Sequence, residues 1–394
     1  MSPTISRFIV VVVAVALVLC ATGATARARK ASTVASSNPL LAPWSGPYGG
    51  VPPWDKVTAA LVKPAVDASV AEEHGEIERI VAERAAPSFA NTIVALERSG
   101  RTRDRVERLF GVMKNNLSTP EVQALDREVA PELAAADDQI TFNETLYKRI
   151  AAVYEGRARL APEERRLTER IHDSFVRSGA RLDAAEKTRL STINQELATT
   201  FSDFAAKVLA DENTWVVLGA EADLAGLPAA MVSSYRAAAE ERGLAGHAVV
   251  NTRSSVDPFL TFSTRRDLRE KVWRAFTNRG DNGDDHDTKA TIARIVKLRA
   301  ERAKLLGFAS HAHWRMDDTM ARDPKAAEAL MMRVWPAAVA RVREEVADMQ
   351  AIADAEGAKV TIEPWDYRSY AEKVRKARYA IDQASSSPTS RSRT

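Results

Sequence analysis

The sequence has 394 residues, 45% of them hydrophobic and 28% charged, with a formal net charge of +3. That is the composition of a globular chain long enough for one large core or two domains. The charge is small and its signs alternate along the chain. No basic block interleaved with aromatic residues is present, which argues against nucleic acid as a partner.

The N-terminus reads as an export signal. Arg7 precedes an apolar run from Phe8 to Cys20, and Ala24-Thr25-Ala26 forms an A-x-A cleavage site with Arg27 as the first mature residue. The run is short against the ~20 apolar residues of a membrane span, but Ala21–Ala26 is also fairly apolar and leaves an uncleaved anchor as an alternative. Cys20 is the only cysteine. A lipoprotein signal places a small residue before its cysteine, and Leu19 stands there instead, so a lipid anchor at Cys20 is the disfavoured alternative. Cleavage after Ala26 leaves no thiol, and so neither disulfides nor cysteine catalysis. Residues 1–26 are expected to be a signal peptide for an exported, periplasmic chain. Residues 27–53, rich in Ser, Pro, Gly and Ala, read as a linker lying against the body.

From Trp54 the pattern is helix after helix, so the expected fold class is mostly α. Ala90–Ser99 is a short helix closed by Gly100. Thr119-Pro120-Glu121 makes a cap, a first-turn proline and an acidic first turn, and Asn143 caps a helix carrying Leu146, Ile150 and Val153. Pro162 opens another, with Leu167, Ile171 and Phe175 on one face and Gly179 as its stop. Asp183 and Glu186 have capping-box spacing and start a helix that buries Leu190, Ile193, Leu197, Phe201, Phe204 and Val208. One region breaks the period. Thr214–Leu218, Ala248–Asn251 and Phe259–Phe262 are short β-rich runs around a helix at about 228–242, and predict a small inserted sheet near 214–262. Asp323 and Pro324 then open a long helix ending near Gly357, which Pro336 should kink.

The last periodic stretch is Glu363–Asp382, with Asp366 as the expected cap. Tyr367, Tyr370, Val374, Ala377 and Ile381 form one apolar stripe, which the long helix before it covers only in part. Residues 383–394 hold no large apolar side chain and read as a disordered tail. A well-formed helix running straight into such a tail reads as a chain cut short.

No His-Glu-x-x-His, G-x-S-x-G, P-loop or G-x-G-x-x-G occurs. The six histidines are His74, His172, His247, His286, His311 and His313. His311-Ala312-His313, followed by Asp317 and Asp318, is the nearest approach to a metal site. Without a third ligand it reads as the polar start of a helix. Asp281–Asp287 resembles a calcium loop superficially, but lacks the glycine and glutamate that an EF-hand loop requires. It reads as a solvated loop whose last aspartate caps the next helix. Trp314, Trp335 and Trp365 read as core.

Several segments nevertheless resemble, in order and spacing, the thimet-oligopeptidase family of zinc metallopeptidases, in its peptidyl-dipeptidase (dipeptidyl carboxypeptidase) and oligopeptidase A branch. They are Pro87–Gly100, Phe175–Leu182, Leu224–Pro228, Asn278–Gly283, Leu298–Phe308, Asp318–Ala321 and the stretch WDYRSYAEKVRKARYAID from Trp365 to Asp382. The resemblance implies that residues 54–382 are the helical N-terminal part of an ellipsoid split by a deep channel. It also implies zinc held by an H-E-x-x-H helix and a later glutamate, and short peptides as substrates. In the family that zinc helix lies beyond the last matching segment. No catalytic, cofactor-binding or metal residue is therefore carried over, and the chain is expected to bind no zinc and to be inactive alone. Two function classes follow: a truncated zinc oligopeptidase, or an exported helical protein that binds peptides or a partner without catalysis.

Overall fold

The computed structural model describes residues 38–48 and 50–380. The expected signal segment 1–26, the tail 383–394 and Ile381 lie outside the described residues. Among the described residues the fold is mostly α-helical with one two-stranded sheet. It divides into two compact units. One runs to Ser202 and includes Leu305–Gly307; the other is Asp203–Lys304 with Phe308 onward.

The first unit contains α1 (Ala59–Ala82), α2 (Arg101–Asn116), α3 (Pro120–Thr141), α4 (Glu144–Glu155) and α5 (Pro162–Arg177), and most of α6 (Ala184–Glu212). α3, α4 and α6 start where side chains take up their free amides. The Thr119 hydroxyl accepts from the Val122 amide at 3.3 Å, and the Asn143 side chain from the Leu146 amide at 2.9 Å. Asp183 and Glu186 cap each other's amides at 2.8 and 3.1 Å. Leu146, Ile150 and Val153 bury against Ile77 and Ile80, with Leu167, Ile171 and Phe175 packed on them. A second cluster joins Val66, Leu109, Phe110 and Val129, and takes in Leu40 from the segment before α1.

The expected short helix at 90–99 begins as a π-helical turn, Phe89–Val94, and continues as Ala95–Glu97. Ser88 and Asn91 cap it reciprocally, and buried Arg149 donates to the Glu83 carbonyl at 2.8 Å and to Asn91 Oδ1 at 3.2 Å. Those polar contacts hold a turn geometry that residue spacing does not reveal.

In the second unit, β1 (Trp215–Leu218) pairs antiparallel with β2 (His247–Val250), Trp215 opposite Val250 and Leu218 opposite His247. α7 (Ala229–Glu240) lies between them in sequence. Val216 and Leu218 face inward and Trp215 and Val217 outward. The third expected strand, Phe259–Phe262, is instead the last turn of α8 (Arg253–Phe262). Val256, Phe259 and Leu260 lie at helical spacing and bury together against Val216, Leu218, Tyr235 and Val272. A four-residue run of β-type residues fits either period, and here burial selects the helix.

There follow α9 (Arg266–Thr277), α10 (Lys289–Leu305), α11 (His311–Met316), α12 (Pro324–Ala355) and α13 (Tyr367–Tyr379). α12 starts with Asp323 accepting from the Lys325 amide at 2.7 Å and runs through Pro336 as one helix of 32 residues. Trp335, expected in the core, is 64% exposed, because the first two-thirds of α12 pack against little in the unit. The last third carries Met349 and Ala353, which bury Tyr370 of α13; Tyr367 and Val374 cover the edges. The α13 stripe is thus docked over most of its described length.

Candidate functional site

Asp366 makes no capping bond to α13. Its side chain is fully buried and turned toward α9, a hundred residues earlier. Arg266 donates to both carboxylate oxygens, at 2.8 and 3.1 Å, and Arg269 donates at 2.7 Å. Arg269 also reaches the Ser263 and Trp365 carbonyls, at 2.8 and 3.2 Å. Two guanidinium groups compete more strongly for a buried carboxylate than a helix end does. Burial alone would raise the Asp366 carboxyl, but the hydrogen bonds from Arg266 and Arg269 outweigh it and hold it below the usual carboxylate range. Beside it, Trp365 meets Trp273 edge to face at 5.7 Å, with Arg266 and Arg274 against its ring.

This anchor sets one wall of a cleft of about 780 Å³ between α8, α9, α12 and α13. Leu260, Trp273, Val346, Ile362 and Tyr367 supply apolar surface. Three of the charged side chains at the cleft are paired: Arg368 with Asp257 at 2.9 Å, and Arg375 with Glu372. Tyr367 donates its hydroxyl to Glu345 at 3.0 Å. The lining contains no histidine or cysteine. An apolar floor with paired charges around it suits binding an extended, partly apolar chain.

The second polar centre is the loop before α10. Asp211, buried at the end of α6, accepts from the Gly280 amide at 2.6 Å and from the Asn282 side chain at 2.9 Å. Its other oxygen faces His286 Nδ1 at 3.4 Å. Gly280 has φ +74°, and a Cβ there would lie 2.8 Å from a methyl carbon of Thr288. Asp287 caps α10 through the Lys289 amide at 2.9 Å, as its position in the sequence suggests. Asp211, Asp284 and His286 place ligand atoms within 4.8 Å of one another, the one such group among the described residues. It offers one imidazole and two carboxylates, and one oxygen of Asp211 already takes two hydrogen bonds. The two-histidine, one-glutamate set of a zinc peptidase is not met there. His311 and His313 do not supply it either. Two residues apart on α11 they point to different sides; His313 hydrogen-bonds Ser310 at 2.8 Å and His311 leans on Trp314. Burial and the nearby Arg299, Arg302 and Arg315 lower the His311 pKa.

The family model of peptidase family M3 matches residues 259–392, which takes in the described helices that frame the cleft from the end of α8 onward. The chain is 38% identical over 359 residues to the dipeptidyl carboxypeptidase of Salmonella typhimurium, an alignment covering 90% of this chain and 52% of that protein. The chain belongs to peptidase family M3. Within M3 it is also 35% identical over 355 residues to the dipeptidyl carboxypeptidase of Escherichia coli, covering 89% of this chain and 52% of the relative. It is 26% identical over 352 residues to oligopeptidase A of the same organism, covering 88% and 51%. This M3 chain therefore spans about half the length of the curated relatives it matches, and its 394 residues contain no His-Glu-x-x-His.

Sequence reasoning assigned no site residue and missed both polar centres. Asp211 and the 280–286 loop are some seventy residues apart. Only the glycine-rich loop itself gave a local signal, and it gave none for a partner.

Proposed function

We propose that this chain is the peptide-confining, non-catalytic half of an M3 peptidase of the dipeptidyl carboxypeptidase type. The cleft beside α13 forms part of the wall of a channel that admits short unfolded peptides. The relatives' name describes release of dipeptides from a carboxyl end; the role assigned to these residues is to hold and orient the peptide. The observation that carries this is the pairing of family membership over half of a relative's length with a cleft whose lining is apolar and charged but offers no histidine. The zinc of the family finds no matching ligand set among the described residues, so no chemical step is assigned to it here. The chain is exported, with cleavage before Arg27 and a periplasmic destination.

Titration of the purified chain with unstructured hexapeptides, read by tryptophan fluorescence at Trp273 and Trp365, is expected to show saturable, weak binding without cleavage. One tightly held zinc per chain, with hydrolysis lost on chelation, overturns the non-catalytic assignment. N-terminal sequencing of envelope material should begin at Arg27; an intact Met1 on cytoplasmic material overturns the export assignment. A second reading, a self-sufficient peptide-binding protein, is favoured by one observation: the cleft and its Asp366 anchor are complete within a single unit of this chain. Full affinity for peptide in the absence of any other polypeptide would select it.

A further inference from the structure

The first two-thirds of α12 are built like a buried helix and yet lie open. Leu330, Met331, Met332, Val334, Trp335 and Val342 are all more than two-fifths exposed. Between residues 326 and 340 only Glu328 and Arg333 are charged. Ala327, Met331, Trp335, Ala338 and Val342 follow one another at three- and four-residue spacing, and Val334 stands on the same face one turn after Met331. A turn or two further on, the same row becomes Met349 and Ala353, which α13 covers. One apolar face therefore starts exposed and ends inside an established contact. Met332 extends the apolar surface to a further side of the helix. A helix apolar around so much of its girth is the kind that other elements enclose from several directions, which a single facing copy of itself does not do. At ~1.5 Å per residue, the stretch from 326 to 342 is ~24 Å long. The chain's own residues 381–394 contain one large apolar side chain, Ile381, too little to match it.

From this we infer that α12 from Ala326 to Val342 is the docking surface for the other half of an M3 polypeptide, the part of the relatives' length that this chain does not match. That half carries about as much sequence again as the matched part, enough to enclose the helix from more than one side. The inference rests on the proposed function and names the partner of the same half-enzyme.

The test is co-expression of the tagged 394-residue chain with the unmatched half of Salmonella typhimurium dipeptidyl carboxypeptidase as a separate polypeptide. Expected is a one-to-one complex that keeps the second polypeptide soluble. Trp335→Glu or Met331→Glu should cut its recovery at least tenfold, while Tyr48→Glu, a fully exposed position off this face, leaves it unchanged. Recovery unaffected by Trp335→Glu, or a second polypeptide insoluble with the wild-type chain as well as with the variant, overturns the inference. Sedimentation of the 394-residue chain alone provides a second measurement. A monomer with Trp335 open to a soluble quencher is expected; a dimer dissociated by Trp335→Glu gives the face to a second copy and overturns the inference. Peptide binding without complex formation sinks the docking surface and leaves the proposed function standing. Complex formation without peptide binding does the reverse.

Discussion

At Asp366 one carboxylate is the shared counter-ion of two guanidinium groups, one of them almost fully buried. Asp366→Ala leaves Arg269 charged in a dry site, and should destabilise the second unit by about 3–5 kcal/mol in urea unfolding. The same pair sets an acid limit. Because the folded-state pKa lies below the unfolded one, the pair contributes fully above the ordinary carboxylate range. Its contribution falls away as pH drops through that range to the lower folded value. Stability of the wild-type chain should fall more steeply below about pH 4 than that of Asp366→Asn, measured by urea midpoints across pH. None of this was legible at Asp366 itself. A residue before a helical stripe reads as a cap, and the arginines that claim it stand a hundred positions away. Asp183, Asn143 and Thr119 read correctly because their partners are three residues on.

Among the elements, α13 is held and the first part of α12 is not. Tyr370→Ala empties a buried aromatic site between Met349 and Ala353 and should cost about 3–5 kcal/mol. Trp335→Ala, at an exposed position, should change the stability of the isolated chain by less than about 0.5 kcal/mol. Hydrogen exchange should separate the two, with slower exchange at residues 370–376 than at residues 328–340. The sequence marks most helices through caps and periodicity, and these are local properties. It misleads at 259–262, where β-type residues are spent on a helix turn, and at Trp335. There the residue type announces burial, but the described chain supplies no covering surface.

For the whole molecule, the order of the family segments carries the identification, whereas the cleft was invisible. Its lining comes from α8, α9, α12 and α13 and the loop before α13, and only the fold brings them together. The open face of α12 gives the isolated chain a surface that water solvates poorly. The mature chain should bind a hydrophobic dye, and Trp335→Glu should weaken that binding at least twofold with no loss of helical circular dichroism. Unchanged dye binding would place the sticky surface elsewhere.

The exposed stretch of α12 also carries Arg333, Arg341 and Arg343 in the open. A trypsin-like enzyme meeting the chain would cut there before it reached the packed helices. The piece released from the covalent chain would not leave. The segment beyond the cut keeps Asp366 on Arg266 and Arg269 and Arg368 on Asp257. Nicked protein should therefore run as two fragments on a denaturing gel and as one particle of unchanged mass in native mass spectrometry. The backbone of α12 can be broken while α13 and its cleft persist as a non-covalently held assembly.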